Sequence, residues 1–180
     1  MNTLQSYLDI HGLLACNDNP YLPSLADIGC TWTDMTDLLD QHGLFYCKAY
    51  RKRTIYLSPR AYSLLKQCRK QRPMTEHAQL LYGLLEANPP METTLLKRFA
   101  ALPDKAFKAA FDFLPENLYV TAYANGTVRN PTWSTFLYST AAAWEKAVPT
   151  QDPCNGSARE ALWAIVSSTL SEKEFAKLVG

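Results

Sequence analysis

The residues with the clearest chemical potential are nine cations gathered in one run. Residues 48–72, KAYRKRTIYLSPRAYSLLKQCRKQR, hold Lys48, Arg51, Lys52, Arg53, Arg60, Lys66, Arg69, Lys70 and Arg72 and no Asp or Glu. They are half of the chain's eighteen basic residues, and the net charge is only +1. Residues 1–47 carry six acids, Asp9, Asp18, Asp27, Asp34, Asp37 and Asp40, and no Lys or Arg. Residues 73–180 carry nine bases and eleven acids. The chain is near neutral because opposite signs occupy different segments, and such segregation bears on partners, not on fold.

Ammonium and guanidinium groups that neutralise phosphates release counterions, so a surface built from this run would bind nucleic acid with a steep salt dependence. Such contacts position a protein on a backbone without reading sequence. The candidate nucleic-acid-binding residues are Arg51, Lys52 and Arg53 at a hairpin tip, with Lys66, Arg69 and Lys70 along the next helix. Tyr46, Tyr50, Tyr56 and Tyr62 interleave with them. The competing reading is a solvated basic face, or one paired with the acidic N-terminal segment of the same chain.

The elements that must hold these side chains follow from local signals. A short helix over residues 3–11 stops at Gly12, and residues 16–30 are rich in turn formers. Thr31 or Thr33 caps a helix running to His42 with Met35, Leu38 and Leu39 on one face, and Gly43 stops it. Leu44–Tyr50 and Thr54–Leu57 read as a hairpin with Arg51-Lys52-Arg53 between the strands. Ser58-Pro59 then opens a helix. Its Ala61, Leu64, Leu65 and Cys68 share a face, with Lys66, Arg69 and Lys70 pointing away.

Pro73 ends that helix and marks a boundary. Thr75 caps a helix over Glu76–Ala87, which Asn88-Pro89-Pro90 breaks, and residues 91–101 and 104–114 read as two further helices. Two strand-like runs flank Asn125-Gly126, a strong two-residue hairpin signal. Thr140 caps Ala141–Val148, a polar linker spans 149–156, and Ser157-x-x-Glu160 and Ser171-x-x-Glu174 fit capping boxes that open two last helices.

Helix, helix, helix, hairpin over 75–130 is the order of a winged helix-turn-helix, and the first half echoes it. The expected fold is therefore α+β and mainly helical, with tandem winged helix-turn-helix units and a helical C-terminal tail. The expected division is 1–72 for the N-terminal winged-helix-like unit, 73–148 for the second, and 149–180 for the linker and C-terminal helices. In such units the helix before the hairpin enters the major groove. The first would present Asp34, Asp37 and Asp40, which repel a duplex. The second presents Lys105, Lys108 and Asp112 and is only mildly basic.

No catalytic constellation stands out. His11, His42 and His77 have no accompanying Cys or carboxylate pattern, and the chain has no G-x-S-x-G, H-E-x-x-H, Walker loop or G-x-G-x-x-G. The five cysteines, Cys16, Cys30, Cys47, Cys68 and Cys154, show no close pair and read as free thiols, mostly buried. Trp133, Trp144 and Trp163 lie among apolar neighbours and read as core. No cofactor or metal is expected. The N-terminus lacks the pattern of a signal peptide and Leu80–Leu85 is too short to cross a bilayer, so a cytoplasmic protein without a membrane partner is expected.

Several short strings carry a family likeness. Ala49-Tyr50-Arg51-Lys52-Arg53, Gln71-Arg72-Pro73-Met74-Thr75, Glu116-Asn117-Leu118-Tyr119-Val120-Thr121 and Trp133–Ala141 with Trp144-Glu145 resemble the AlkZ-related winged-helix proteins of bacteria, over half to two-thirds of the chain. The resemblance implies tandem winged-helix units and kinship with DNA glycosylases that remove bulky alkylated or cross-linked bases. Active members of that superfamily use a Gln-x-Gln or Gln-x-Asp pair to handle the attacking water, and this sequence contains neither. The likeness therefore supports the fold and DNA association and transfers no catalytic residue. A winged-helix protein that binds nucleic acid, double-stranded DNA foremost, is the leading expectation. A winged-helix module that binds protein, and a base-excision enzyme, are the alternatives.

Overall fold

A computed structural model describes residues 3–180. The fold is α+β and mainly helical, with two small antiparallel sheets. Helix α1 (Thr3–His11) leads into a short strand β1 (Leu13–Ala15), and α2 (Trp32–Asp40) precedes the hairpin β2 (Phe45–Tyr50) and β3 (Arg53–Leu57). The strand order is β1-β3-β2, with Leu13 opposite Leu57 and Tyr46 opposite Tyr56. Strand β1 has no alternating pattern in the sequence, because all three of its residues are buried.

Alternation in β2 and β3 sends side chains to both faces of this sheet, and both faces are covered. Phe45, Cys47, Ile55 and Leu57 pack with helix α3 (Pro59–Cys68) and with the later helices α7 (Ala141–Ala147), α8 (Ala158–Val166) and α9 (Glu172–Val179). Tyr46 and Tyr56 face α1 and α2. Phe45, Tyr62 and Trp144 form an aromatic cluster in this core. Phe45 stacks on Tyr62 at 3.8 Å between centroids, and Trp144 meets them edge-on at 5.0 and 5.2 Å. Such pairs add about 0.5–1.5 kcal/mol each beyond area burial. Helices α8 and α9 of the C-terminal segment thus pack into the same core as the first hairpin and α3.

The central part contains α4 (Glu76–Ala87), α5 (Thr93–Ala100), α6 (Asp104–Glu116) and the ribbon β4 (Val120–Asn130) and β5 (Trp133–Thr140). Its core joins Ala78, Leu81, Leu85, Leu96, Phe107, Ala110, Leu114 and Val120. Residue 91, expected in a helix, instead forms a β-bridge: Met91 exchanges both backbone hydrogen bonds with Tyr138 of β5. One hydroxyl ties the two halves, because Thr121 Oγ1 accepts from the Tyr46 backbone N–H and donates to the Tyr46 carbonyl. That satisfies both backbone groups of Tyr46 on β2 without a further strand.

The second hairpin turns elsewhere than expected. Asn125-Gly126 lies inside β4, and the chain reverses at Pro131-Thr132, between paired Asn130 and Trp133. The pairing register shifts on both sides of Asn125. A Cβ on Gly126 would stand 2.6 Å from Thr135 Oγ1 and 2.9 Å from Glu92 Oε1, so glycine is required here by close approach and not by a turn. Glu92 Oε1 accepts from the Thr127 N–H and from the hydroxyls of Thr127 and Thr135, pinning the ribbon at the bulge. Trp133, expected in the core, is 51% exposed near the ribbon tip, whereas Trp144 is buried as expected.

Candidate nucleic-acid interface

The hairpin β2–β3 closes on two residues, Arg51 and Lys52, with φ of 50° and 55°. A two-residue turn with both φ values positive matches the twist of the strands and normally recruits Asn-Gly. Here two long cations adopt that conformation, so contacts elsewhere must hold it. Arg51 supplies them. Its Nε and Nη2 each donate at 2.8 Å to the two carboxylate oxygens of Glu174 on α9, and its guanidinium lies 3.8 Å above the Tyr21 ring. Tyr50 donates its hydroxyl to the same carboxylate. The hydrogen bonds from Arg51 and then Tyr50 hold the Glu174 carboxyl down at about 2. Glu174, expected to close a capping box, is committed to Arg51 instead, and Ser171 alone caps α9.

The six sequence candidates therefore divide. Arg51 is consumed by the clamp to Glu174. Arg69, expected to point outward, turns inward, because α3 ends at Cys68 and Arg69 takes an extended backbone. Its guanidinium donates to the carbonyls of Ala49 at 3.1 Å, Glu116 at 3.3 Å and Leu178. Burial pushes its pKa below the ordinary arginine value. Arg69 thus joins β2, α6 and α9. Lys66 is exposed but bound to Glu145 at 2.5 Å, and Glu145 also accepts from the Tyr62 hydroxyl at 2.6 Å. A cleft of about 470 Å³ between α3 and α7 opens beside this pair. Lys52, Arg53 and Lys70 remain exposed to solvent. Arg53 lies on the β1 side of the hairpin, beside Asn17 and Asn19.

Lys52 enters a concave surface with other cations. Lys48 and Lys52 of the hairpin, Arg72 of the segment after α3, and Lys108 of α6 line a groove of about 480 Å³ together with Phe113, Asp112 and Glu116. The floor is part apolar, and the Arg72 guanidinium lies 5.7 Å from the Phe113 ring centroid. Asp112 bridges the walls. Lys48 Nζ reaches Asp112 Oδ1 at 3.3 Å, and Lys108 Nζ reaches Oδ2 at 2.5 Å. Burial works against the charge of Asp112, but the two lysines outweigh it and keep its pKa below the ordinary value. The contact to Asp112 raises that of Lys108.

The groove joins segments some sixty residues apart, because α6 packs against β2. Lys48 and Arg72 were visible as members of the basic run and Lys108 as a cation on a helix. Only the packing of α6 on the hairpin puts them together.

The acidic N-terminal segment does not neutralise the basic run. Among the described residues, no ion pair involves Asp9, Asp18, Asp27, Asp34, Asp37 or Asp40. Three of these acids serve the backbone instead. Asp27 accepts from Ser24, Asp34 completes a capping box with Thr31, and Asp40 accepts from the N–H of Asn125 at 2.7 Å. Helix α2 also packs against β4, with Trp32 stacked on Phe136 and donating to Ser134, so the ribbon covers part of that helix.

His11 bonds to Ser168, and His42 meets the Tyr123 ring edge-on. Cys30 and Cys47 are buried, the other three cysteines are half-buried, and all five are free. Among the described residues, no helix is long and apolar enough to cross a membrane. No family model matches this chain, and neither a curated protein nor a solved structure matches it.

Proposed function

We propose that this protein is a tandem winged-helix protein that binds nucleic acid, double-stranded DNA foremost, through phosphate contacts in the groove between the first hairpin and α6. The carrying observation is the groove itself, where four cations from three segments face two carboxylates across one concave surface. The element orders support the fold reading. The first unit runs α1-β1-α2-β2-β3 with sheet order β1-β3-β2, and residues 16–31 replace its middle helix with turns. The second runs α4, Met91, α5, α6, β4, β5, with Met91 bridged to β5 in the place of a first strand. In these terms α6 is the helix before the second wing, and the wing of the first unit lies beside it. The resemblance to AlkZ-related proteins belongs to this same proposal.

Lysine and arginine on a groove wall neutralise phosphates without reading bases, so affinity depends on salt far more than on sequence. Fluorescence anisotropy of labelled duplex DNA, single-stranded DNA and a structured RNA, from low to near-physiological salt, tests this. The expected result is micromolar or tighter duplex binding, with log affinity falling against log salt with a slope of about −3.6 for four phosphate contacts. Absence of binding to any of the three at low salt would overturn it.

A second reading has its own observation. Leu95 and Phe99 stand one turn apart on α5, and Val128 and Trp133 near the ribbon tip, all exposed. A contiguous patch of exposed apolar side chains suits a protein partner. Binding that survives high salt and is lost on Phe99→Ser or Trp133→Ser favours that reading.

A further inference from the structure

The nucleic-acid reading explains the cations of the groove but leaves Asp112 unexplained. Its carboxylate stands between Lys48 of β2 and Lys108 of α6, where a phosphate seeking both ammonium groups would sit. Asp112 is 29% exposed and Lys48 25%, so the pair links α6 to β2 and at the same time keeps a carboxylate on the groove surface. Lys108 precedes Asp112 by four residues on the helix, which is the less favourable order against the helix dipole. Four cations with one carboxylate fewer would be the stronger phosphate surface.

We propose that Asp112 is a specificity-determining residue of the groove, acting as an internal anion that a ligand must outcompete. It occupies the site between Lys48 and Lys108, so an isolated phosphate gains little by entering. A polymeric backbone also reaches Lys52 and Arg72, and those added contacts let it displace the carboxylate. The groove thereby discriminates a polyanion from a small phosphate. The inference rests on the nucleic-acid reading for its polymeric ligand, while its claim about small phosphate stands on Asp112 alone.

The test compares the full chain with its Asp112→Asn variant in two arms. One arm titrates labelled duplex DNA, and the other titrates inorganic phosphate by calorimetry. Removing one charge in contact with two cations is expected to tighten duplex binding about tenfold, with the salt slope unchanged because the phosphate contacts stay the same. The variant is also expected to gain a millimolar phosphate site that the native chain lacks, and adding Lys48→Ala should abolish both gains. Phosphate binding no tighter than native, in a variant with an unchanged melting midpoint, would overturn the role of Asp112. If the native chain ignores duplex while the variant gains phosphate, the nucleic-acid reading falls and Asp112 keeps its role. If the native chain binds duplex and the variant gains nothing in either arm, the role of Asp112 alone falls.

Discussion

Arg69→Ala separates a cation that supports the fold from one that serves a ligand. Three carbonyls, on Ala49, Glu116 and Leu178, accept from this one guanidinium. Each belongs to a different layer, namely β2, the end of α6 and α9. A hydrogen bond from a charged donor contributes about 1.5–3 kcal/mol when buried. Arg69 is only half-buried, water can replace part of what is lost, and the mutation also removes the cost of desolvating the charge. The net destabilisation should be about 2–4 kcal/mol. For a chain of this size that corresponds to a fall in melting midpoint of about 5–15 °C. Arg69→Met keeps the packing of the aliphatic stem and should lose less. Thermal and urea denaturation measure the effect, and anisotropy at a temperature where both proteins are folded should show duplex affinity within twofold of native. A variant that melts like the native chain but binds duplex tenfold more weakly would refute the reasoning and return Arg69 to the ligand surface.

Three further outcomes follow from the same geometry. Glu174 has a folded pKa of about 2 against an ordinary 4.5, so its contribution is complete above the ordinary value and disappears as pH falls through that interval. The melting midpoint should drop across that window in the native chain. Glu174→Gln should start lower and show a flatter response there. Lys52→Gly relieves a positive φ at the hairpin tip and should stabilise by about 0.5–1 kcal/mol while weakening duplex binding, a divergence readable in one denaturation series and one titration. Gly126→Ala drives a Cβ into Thr135 and Glu92 and should destabilise by about 1–3 kcal/mol in urea denaturation, which an ordinary turn glycine would not.

Caps and helix periodicity made most helices legible. Thr31, Ser58, Thr75, Thr140, Ser157 and Ser171 each accept a backbone hydrogen bond where local signals put a helix start. Signals that depend on distant chain were not legible. Strand β1 is three apolar residues whose partner, β3, lies some forty residues away. Asn125-Gly126 has the composition of a turn, but the approach of Glu92 and Thr135 makes it a bulge within a longer strand. The basic run predicted a cationic surface as a whole without its division into roles. Arg51 and Arg69 are drawn inward by α9, which lies over a hundred residues on, and Lys66 is held by Glu145 of α7. The groove needed α6 against β2, and nothing local in either segment encodes that contact.

The most direct test sets two triple variants of equal charge against each other. Lys48/Lys52/Lys108→Ala removes three cations from the groove, and Arg53/Lys66/Lys70→Ala removes three from outside it. Duplex affinity is measured by anisotropy across a salt series for both. The groove variant should lose tenfold or more, with a salt slope shallower by about 2.7, while the other stays within about threefold of native. Equal losses would mean that net charge, not the groove, governs binding. A larger loss from the outer set would contradict the account outright.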